Sequence, residues 1–227
     1  LSYETLVPEN MRDLVAKRQY DDIVRSLGDR GPLDAGTVRR VAASPCGPSL
    51  RFLVNEFSTN PAVLKALGAV LKGLTDPPVG YDMKNPWRAA DATGLLVRMV
   101  KDFSEWCTFL PQINGTHDDA LDPIQYFAWF YYQNKAGQDF VQGRNPLHPR
   151  KPLLTGLRFT KDFSLQRGAF MDSPASTTYV AQWIADPRIE ISDYQKRRAV
   201  EYHSWNDFFT RELVEDRVSR TIPSRPA

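Results

Sequence analysis

At 227 residues the chain has room for one large domain or two modest ones. Its 42% hydrophobic and 25% charged residues are ordinary for a soluble globular protein. Twenty-nine Lys and Arg against 27 Asp and Glu leave a net charge of +2, which argues against nucleic acid as a partner.

No window approaches the roughly 18 apolar residues of a membrane span. Residues 1–10 have neither the basic start nor the apolar run of a secretory leader. A soluble, cytoplasmic protein with at most peripheral membrane contact is the expectation. Cys46 and Cys107 stand too far apart for a disulfide framework or metal cluster and read as two free thiols in a reducing compartment. Asn114-Gly115-Thr116 fits a glycosylation sequon, but nothing else points to secretion, so it reads as chance.

The dominant signal along the chain is helical. Residues 11–27 place Leu14, Val15, Ile23, Val24 and Leu27 near one face, with Gly28 as the stop. A short helix follows over Asp34–Ser44, and Ser44-Pro45-Cys46-Gly47-Pro48 reads as a break. Asn60 is a good N-cap and Pro61 a good first helical residue, its missing N–H costing nothing there. From there Val63, Leu64, Leu67, Val70, Leu71 and Leu74 form one apolar stripe that Asp76-Pro77-Pro78 ends.

Beyond a loop over residues 79–90, a helix is predicted from about Ala90 to Leu110, with Leu95, Leu96, Met99, Phe103, Trp106 and Leu110 inward. Another starts at Asp122-Pro123 and runs to about Phe140. Its Tyr126, Phe127, Trp129, Phe130, Tyr131 and Tyr132 are apolar nearly all round and read as core or interface. Prolines, glycines and bases then cluster, and His148-Pro149-Arg150-Lys151-Pro152 reads as a solvated basic loop, with contact to anionic lipid head groups as the sharper alternative. Ser173-Pro174 starts a helix to about Ala185, Asp186-Pro187 stops it, and Ser204 caps a last helix from Trp205 to Leu213. The division is therefore a helical domain over 1–142, a linker over 143–157 and a helical lead-in over 158–227. The fold class is mainly α, with about seven helices.

Motifs for catalysis are missing. His117, His148 and His203 are in no metal-ligand spacing, and the thirteen glycines form neither a Gly-x-Gly nor a Gly-x-Ser-x-Gly. Asp118-Asp119 reads as a solvated loop pair. No residue is assigned as catalytic and none as a metal ligand.

The last quarter is more specific. Trp205, Phe208 and Phe209 lie about one turn apart, Leu213 extends their stripe, and Arg211 points away from it, free to meet a carboxylate or carbonyls. The whole run Trp205-Asn206-Asp207-Phe208-Phe209-Thr210-Arg211-Glu212-Leu213 resembles the signature that precedes the catalytic core of phosphatidylserine decarboxylases. Lys161-Asp162-Phe163-Ser164 and Met171-Asp172-Ser173-Pro174 are similar to the soluble, fungal-type branch, in which a helical domain precedes that core. The pattern departs after Leu213: the family usually continues with Pro-Gly and Arg-Pro, whereas here Val214-Glu215-Asp216 follows and Arg225-Pro226 comes later.

The resemblance implies an α+β complete enzyme that removes the α-carboxylate as CO2 from a free amino acid or from phosphatidylserine. The family's electron sink is a pyruvoyl group, made when the chain cuts itself at a Gly-Ser bond. No glycine here is followed by Ser, and no Ala-Asp-Gly occurs. Tyr202-His203 precedes the motif, whereas the family's catalytic His follows it, so His203 is assigned no catalytic role. The 227 residues accordingly read as the N-terminal or large-subunit part, partnered by a C-terminal pyruvoyl-bearing subunit and forming a homodimer. Trp205, Asn206, Asp207, Phe208, Phe209, Arg211 and Leu213 then have structural or interface roles. The alternative is a non-catalytic helical interaction module related to the family.

Overall fold

The computed structural model describes residues 42–75, 95–113, 130–131 and 134–214. Over these the chain is mainly α. It divides into two compact units, Leu1–Phe109 with Leu121–Arg167, and Leu110–Ala120 with Gly168–Ala227. The expected helix over 11–27, the first part of the one from Asp122, most of the one over 34–44, and Tyr126, Phe127, Trp129 and Tyr132 lie outside the described residues.

The first unit opens with α1 (Gly47–Thr59), α2 (Pro61–Thr75) and α3 (Leu95–Thr108). α1 occupies a stretch that the sequence marks as a break. Pro48 sits in its first turn, where proline leaves no helical hydrogen bond unmade. Leu50, Leu53 and Phe57 follow at three- and four-residue steps, all buried. Asn60 caps α2 as expected, its Oδ1 accepting from the N–H groups of Ala62 at 3.1 Å and Val63 at 3.4 Å. Val63, Leu64, Leu67, Val70, Leu71 and Leu74 are buried, as are Met99 and Phe103 of α3.

The helix expected to run to Phe140 is interrupted. Asn134 is extended and starts a separate helix, α4 (Lys135–Val141). Its Oδ1 accepts from Gly137 N–H, while its Nδ2 donates to Val70 O of α2 at 2.8 Å. A capping side chain that also satisfies a neighbouring helix outweighs continuation of the previous one. It fits because Gly73 carries no Cβ: one there would lie 2.2 Å from Asn134 Oδ1.

Gly143, at φ 76°, then turns the chain into an antiparallel hairpin of β1 (Arg144–Asn145) and β2 (His148–Pro152). Residues 143–157, expected as a linker, hold this hairpin and the start of α5 (Thr155–Met171), and the chain passes between units at Arg167–Gly168. At α5, Gly156 allows close approach, since a Cβ would sit 2.1 Å from Phe140 O.

Phe103 centres an aromatic cluster, 5.1 Å from Phe130 edge-on and within 5.9 Å of Phe159 and Phe163. Arg167 closes the end of α3. Its guanidinium donates to the carbonyls of Trp106, Cys107 and Phe109 and stacks on the Trp106 ring, satisfying acceptors the helix leaves open. The two cysteines are not free thiols: Cys46 and Cys107 form a disulfide with Cα atoms 6.0 Å apart. Distance in sequence misleads here, because helix packing brings the start of α1 to the last turn of α3.

In the second unit the helix expected over Ser173–Ala185 is two pieces, a 3₁₀ turn (Pro174–Thr177) and α6 (Val180–Ala185). Ser173 makes no side-chain cap. Its hydroxyl donates backwards to Phe170 O at 2.7 Å, which favours the tighter turn. Asp186 does end α6, then caps a 3₁₀ turn over Pro187–Ile189 by accepting from Arg188 N–H. Further 3₁₀ turns over Ile191–Asp193 and Ala199–Glu201 lead to α7 (Trp205–Phe209).

Candidate functional site

The residues singled out by the sequence gather around α7. Ser204 Oγ accepts from Asp207 N–H at 3.1 Å, and Asp207 Oδ2 accepts from His203 N–H at 2.8 Å. This reciprocal pair is a variant of the capping box, readable as Ser204-x-x-Asp207. Asp207 also holds Lys196 through Oδ1. Burial pushes the Asp207 carboxyl up, but the hydrogen bonds from Lys196 and His203 outweigh it and hold the group below its ordinary value.

Trp205 is buried. Its backbone N–H donates to Ser176 Oγ at 2.7 Å, and its ring lies 5.9 Å from Trp183 and 5.6 Å from Phe208. Trp183 in turn donates from Nε1 to Pro111 O at 2.9 Å. Asn206 Nδ2 donates to Asp172 Oδ1 at 2.7 Å, which ties two of the family-like segments together. The third, Lys161–Ser164, belongs to the first unit, where Phe163 is core.

Three expectations for this motif need correction. The helix ends at Phe209 and not Leu213: Thr210 is its C-cap, and Arg211 N–H leaves the four-residue ladder to bond Phe208 O at 3.3 Å. The chain beyond it is extended, and Leu213 pairs antiparallel with Tyr194, with Gln195 N–H to Glu212 O and Val214 N–H to Asp193 O, both 2.9 Å. Phe209 does not share the buried stripe; it is 71% exposed. Arg211 does not point away from the aromatics. Its guanidinium carbon lies 4.3 Å from the Tyr194 ring centre and 4.7 Å from that of Phe208, with Nη1 donating to Phe208 O at 3.2 Å. A weakly hydrated planar cation gains more on two ring faces than in water.

Tyr194, Lys196, Ser176 and Tyr202 complete this arrangement; the first three carried no signal in the sequence, and Tyr202 stood out there only as the neighbour of His203. Tyr202 donates from its hydroxyl to Lys196 O at 2.6 Å and meets Phe208 edge-on at 5.3 Å, and its burial raises the phenol's pKa. His203 donates its backbone N–H to Asp207, and its side chain is exposed. Every motif residue described except Phe209 thus serves the structure, by capping, ring packing or cross-linking.

No protein-family model, curated protein or solved structure matches this chain.

Among the described residues no group of three or more His, Cys, Asp or Glu could hold a metal ion, and no helix is long and apolar enough to cross a membrane. Among the described residues one carboxyl is pushed well above its ordinary value. Burial on α3 raises Asp102 from 3.8 to about 6, partly opposed by Arg98, whose Nε lies 3.6 Å away. Its Oδ2 has no hydrogen-bond partner among the described residues. The charged groups acting on it, Arg98, Lys101 and Glu105, belong to its own helix, so among the described residues it forms no acid–base pair with another element.

The raised value makes a stability prediction. The protonated carboxyl suits the fold, so its contribution is full below about pH 4 and is lost as pH rises through about 6. Discounted for partial exposure, the loss is about 2 kcal/mol. Asp102→Asn should flatten this part of the stability–pH curve, measured by urea unfolding across that range. An unchanged slope would mean the carboxyl is solvated.

Proposed function

We propose that these 227 residues are the helical N-terminal or large-subunit part of a pyruvoyl-dependent, phosphatidylserine-decarboxylase-like carboxy-lyase. The observation that carries the reading is the motif Trp205–Leu213 with Met171–Pro174, held together by the Asn206–Asp172 hydrogen bond. The residues present do not fit the pyruvoyl group itself, since no Gly-Ser bond exists to generate it. The chemistry therefore falls to a separate, C-terminal pyruvoyl-bearing subunit, and the role of this part is to pack beside it and support a homodimer. The substrate favoured is a free amino acid over phosphatidylserine, as the resemblance of Lys161–Ser164 and Met171–Pro174 to the soluble, fungal-type branch implies.

The cytoplasmic location expected from the sequence stands against the Cys46–Cys107 disulfide, since cytosolic thiols are kept reduced. An oxidising compartment accommodates the bond better.

The test is the set of intact masses of all polypeptides co-purifying with the chain from its natural source, with CO2 release measured on amino acids and on phosphatidylserine vesicles. A second, smaller polypeptide with a blocked pyruvoyl N-terminus is expected, with release from a free amino acid. A single species without decarboxylase activity would overturn the enzyme reading and leave the non-catalytic helical module.

A further inference from the structure

We infer that the outer face of α5 and the β1–β2 hairpin form a docking surface for an anionic lipid bilayer. The inference comes from this surface alone and stands apart from the decarboxylase reading. α5 carries two stripes on opposite sides. Gly156, Phe159 and Phe163 face the core of the first unit. Positions 154, 157, 161 and 165, also at three- and four-residue steps, share the other side. There Leu154 is 65% exposed, Leu157 45% and Leu165 62%, with Lys161 exposed between them. A Cβ on Gly143 would lie 3.3 Å from both the Leu154 and Leu157 side chains, so these leucines gather at the base of the hairpin. Leu147, 49% exposed, sits in the hairpin turn, and every residue of β2 is exposed.

Charge selects the occupant. From Arg144 to Lys161 the chain carries Arg144, His148, Arg150, Lys151, Arg158 and Lys161 and no Asp or Glu. Arg144 pairs with Asp139, and Arg158 with Asp162. Arg150, Lys151 and Lys161 are exposed and make no ion pair among the described residues. A second copy meeting this face about a two-fold axis would set cations against cations. Nucleic acid would leave the leucines without an apolar partner. A surface of anionic head groups above acyl chains satisfies both features, as it does for basic amphipathic helices lying in an interface.

Vesicle flotation tests this, with phosphatidylcholine alone and with phosphatidylserine added. The protein should float only with the anionic vesicles, and less so as salt is raised. Arg150→Gln with Lys151→Gln should weaken flotation about thirtyfold. Leu157→Ser with Leu165→Ser should weaken it roughly tenfold or more. Both pairs are exposed, and unchanged far-UV circular dichroism verifies their folding. Flotation equal on both vesicle types, or absent from both, overturns the inference, as does flotation that neither folded variant reduces. So does either rival occupant in the absence of flotation: self-association lost in the leucine variant, or heparin capture lost in the basic variant.

Discussion

Removing the Cys46–Cys107 disulfide should lower the stability of the first unit by about 4 kcal/mol, the largest effect expected of any change outside the aromatic cores. The bond joins residues 61 apart in sequence, and tying such a loop removes conformations from the unfolded chain more than it adds contacts to the folded one. Chain-entropy reasoning puts that near 4 kcal/mol at room temperature, before any native relaxation. Both cysteines are fully buried, so a reductant that does not reach them tests nothing; Cys46→Ala with Cys107→Ala is the better comparison. The urea midpoint should fall, and the transition should steepen as the untethered chain exposes more surface on unfolding. Were the pair two thiols, the same substitutions would cost only two small side-chain truncations, about 1 kcal/mol each, with no steepening. Two titratable thiols in the unfolded natural protein, without reductant, would also sink the expectation.

The legibility of this fold from sequence tracks how many faces of each helix are apolar. α2 has one stripe and a clean Asn-Pro start, and its cap and boundaries were readable almost to the residue. α5 is the longest of the described helices and was read only as an undivided part of the helical lead-in from 158, because Leu154, Leu157 and Leu165 on its outer face blur the three- and four-residue rhythm of Gly156, Phe159 and Phe163. α1 was hidden by Pro48, which marks a helix start as readily as a break. The disulfide was illegible for another reason: proximity of Cys46 and Cys107 depends on how α1 and α3 pack, which no local pattern encodes. In the motif, Ser204 and Trp205 were placed correctly, since a cap and a large aromatic have local rules. Arg211 and Phe209 were not. Their partners, Tyr194 for the first and none of the core for the second, are settled by a loop with no periodicity.

Phe209 and Trp205 make that difference measurable. Trp205→Ala should destabilise the second unit by about 3–5 kcal/mol, the range for deleting a large buried ring. It would open a cavity against Trp183 and Phe208 in a small cluster that otherwise holds Leu110, Val180 and Tyr202. The backbone bond to Ser176 would survive, since it uses the main-chain N–H, so the loss should come from packing. Phe209→Ala, four residues along the same motif, should change stability by no more than about 0.5 kcal/mol, because most of its ring is already in water. Urea unfolding followed by near-UV circular dichroism, where the packed Trp183 reports in both variants, gives the two values. Equal losses would mean that Phe209 is buried in solution against something the fold of this unit does not supply. Unequal losses would mean that burial, and not membership of the motif, sets what each aromatic contributes to this unit.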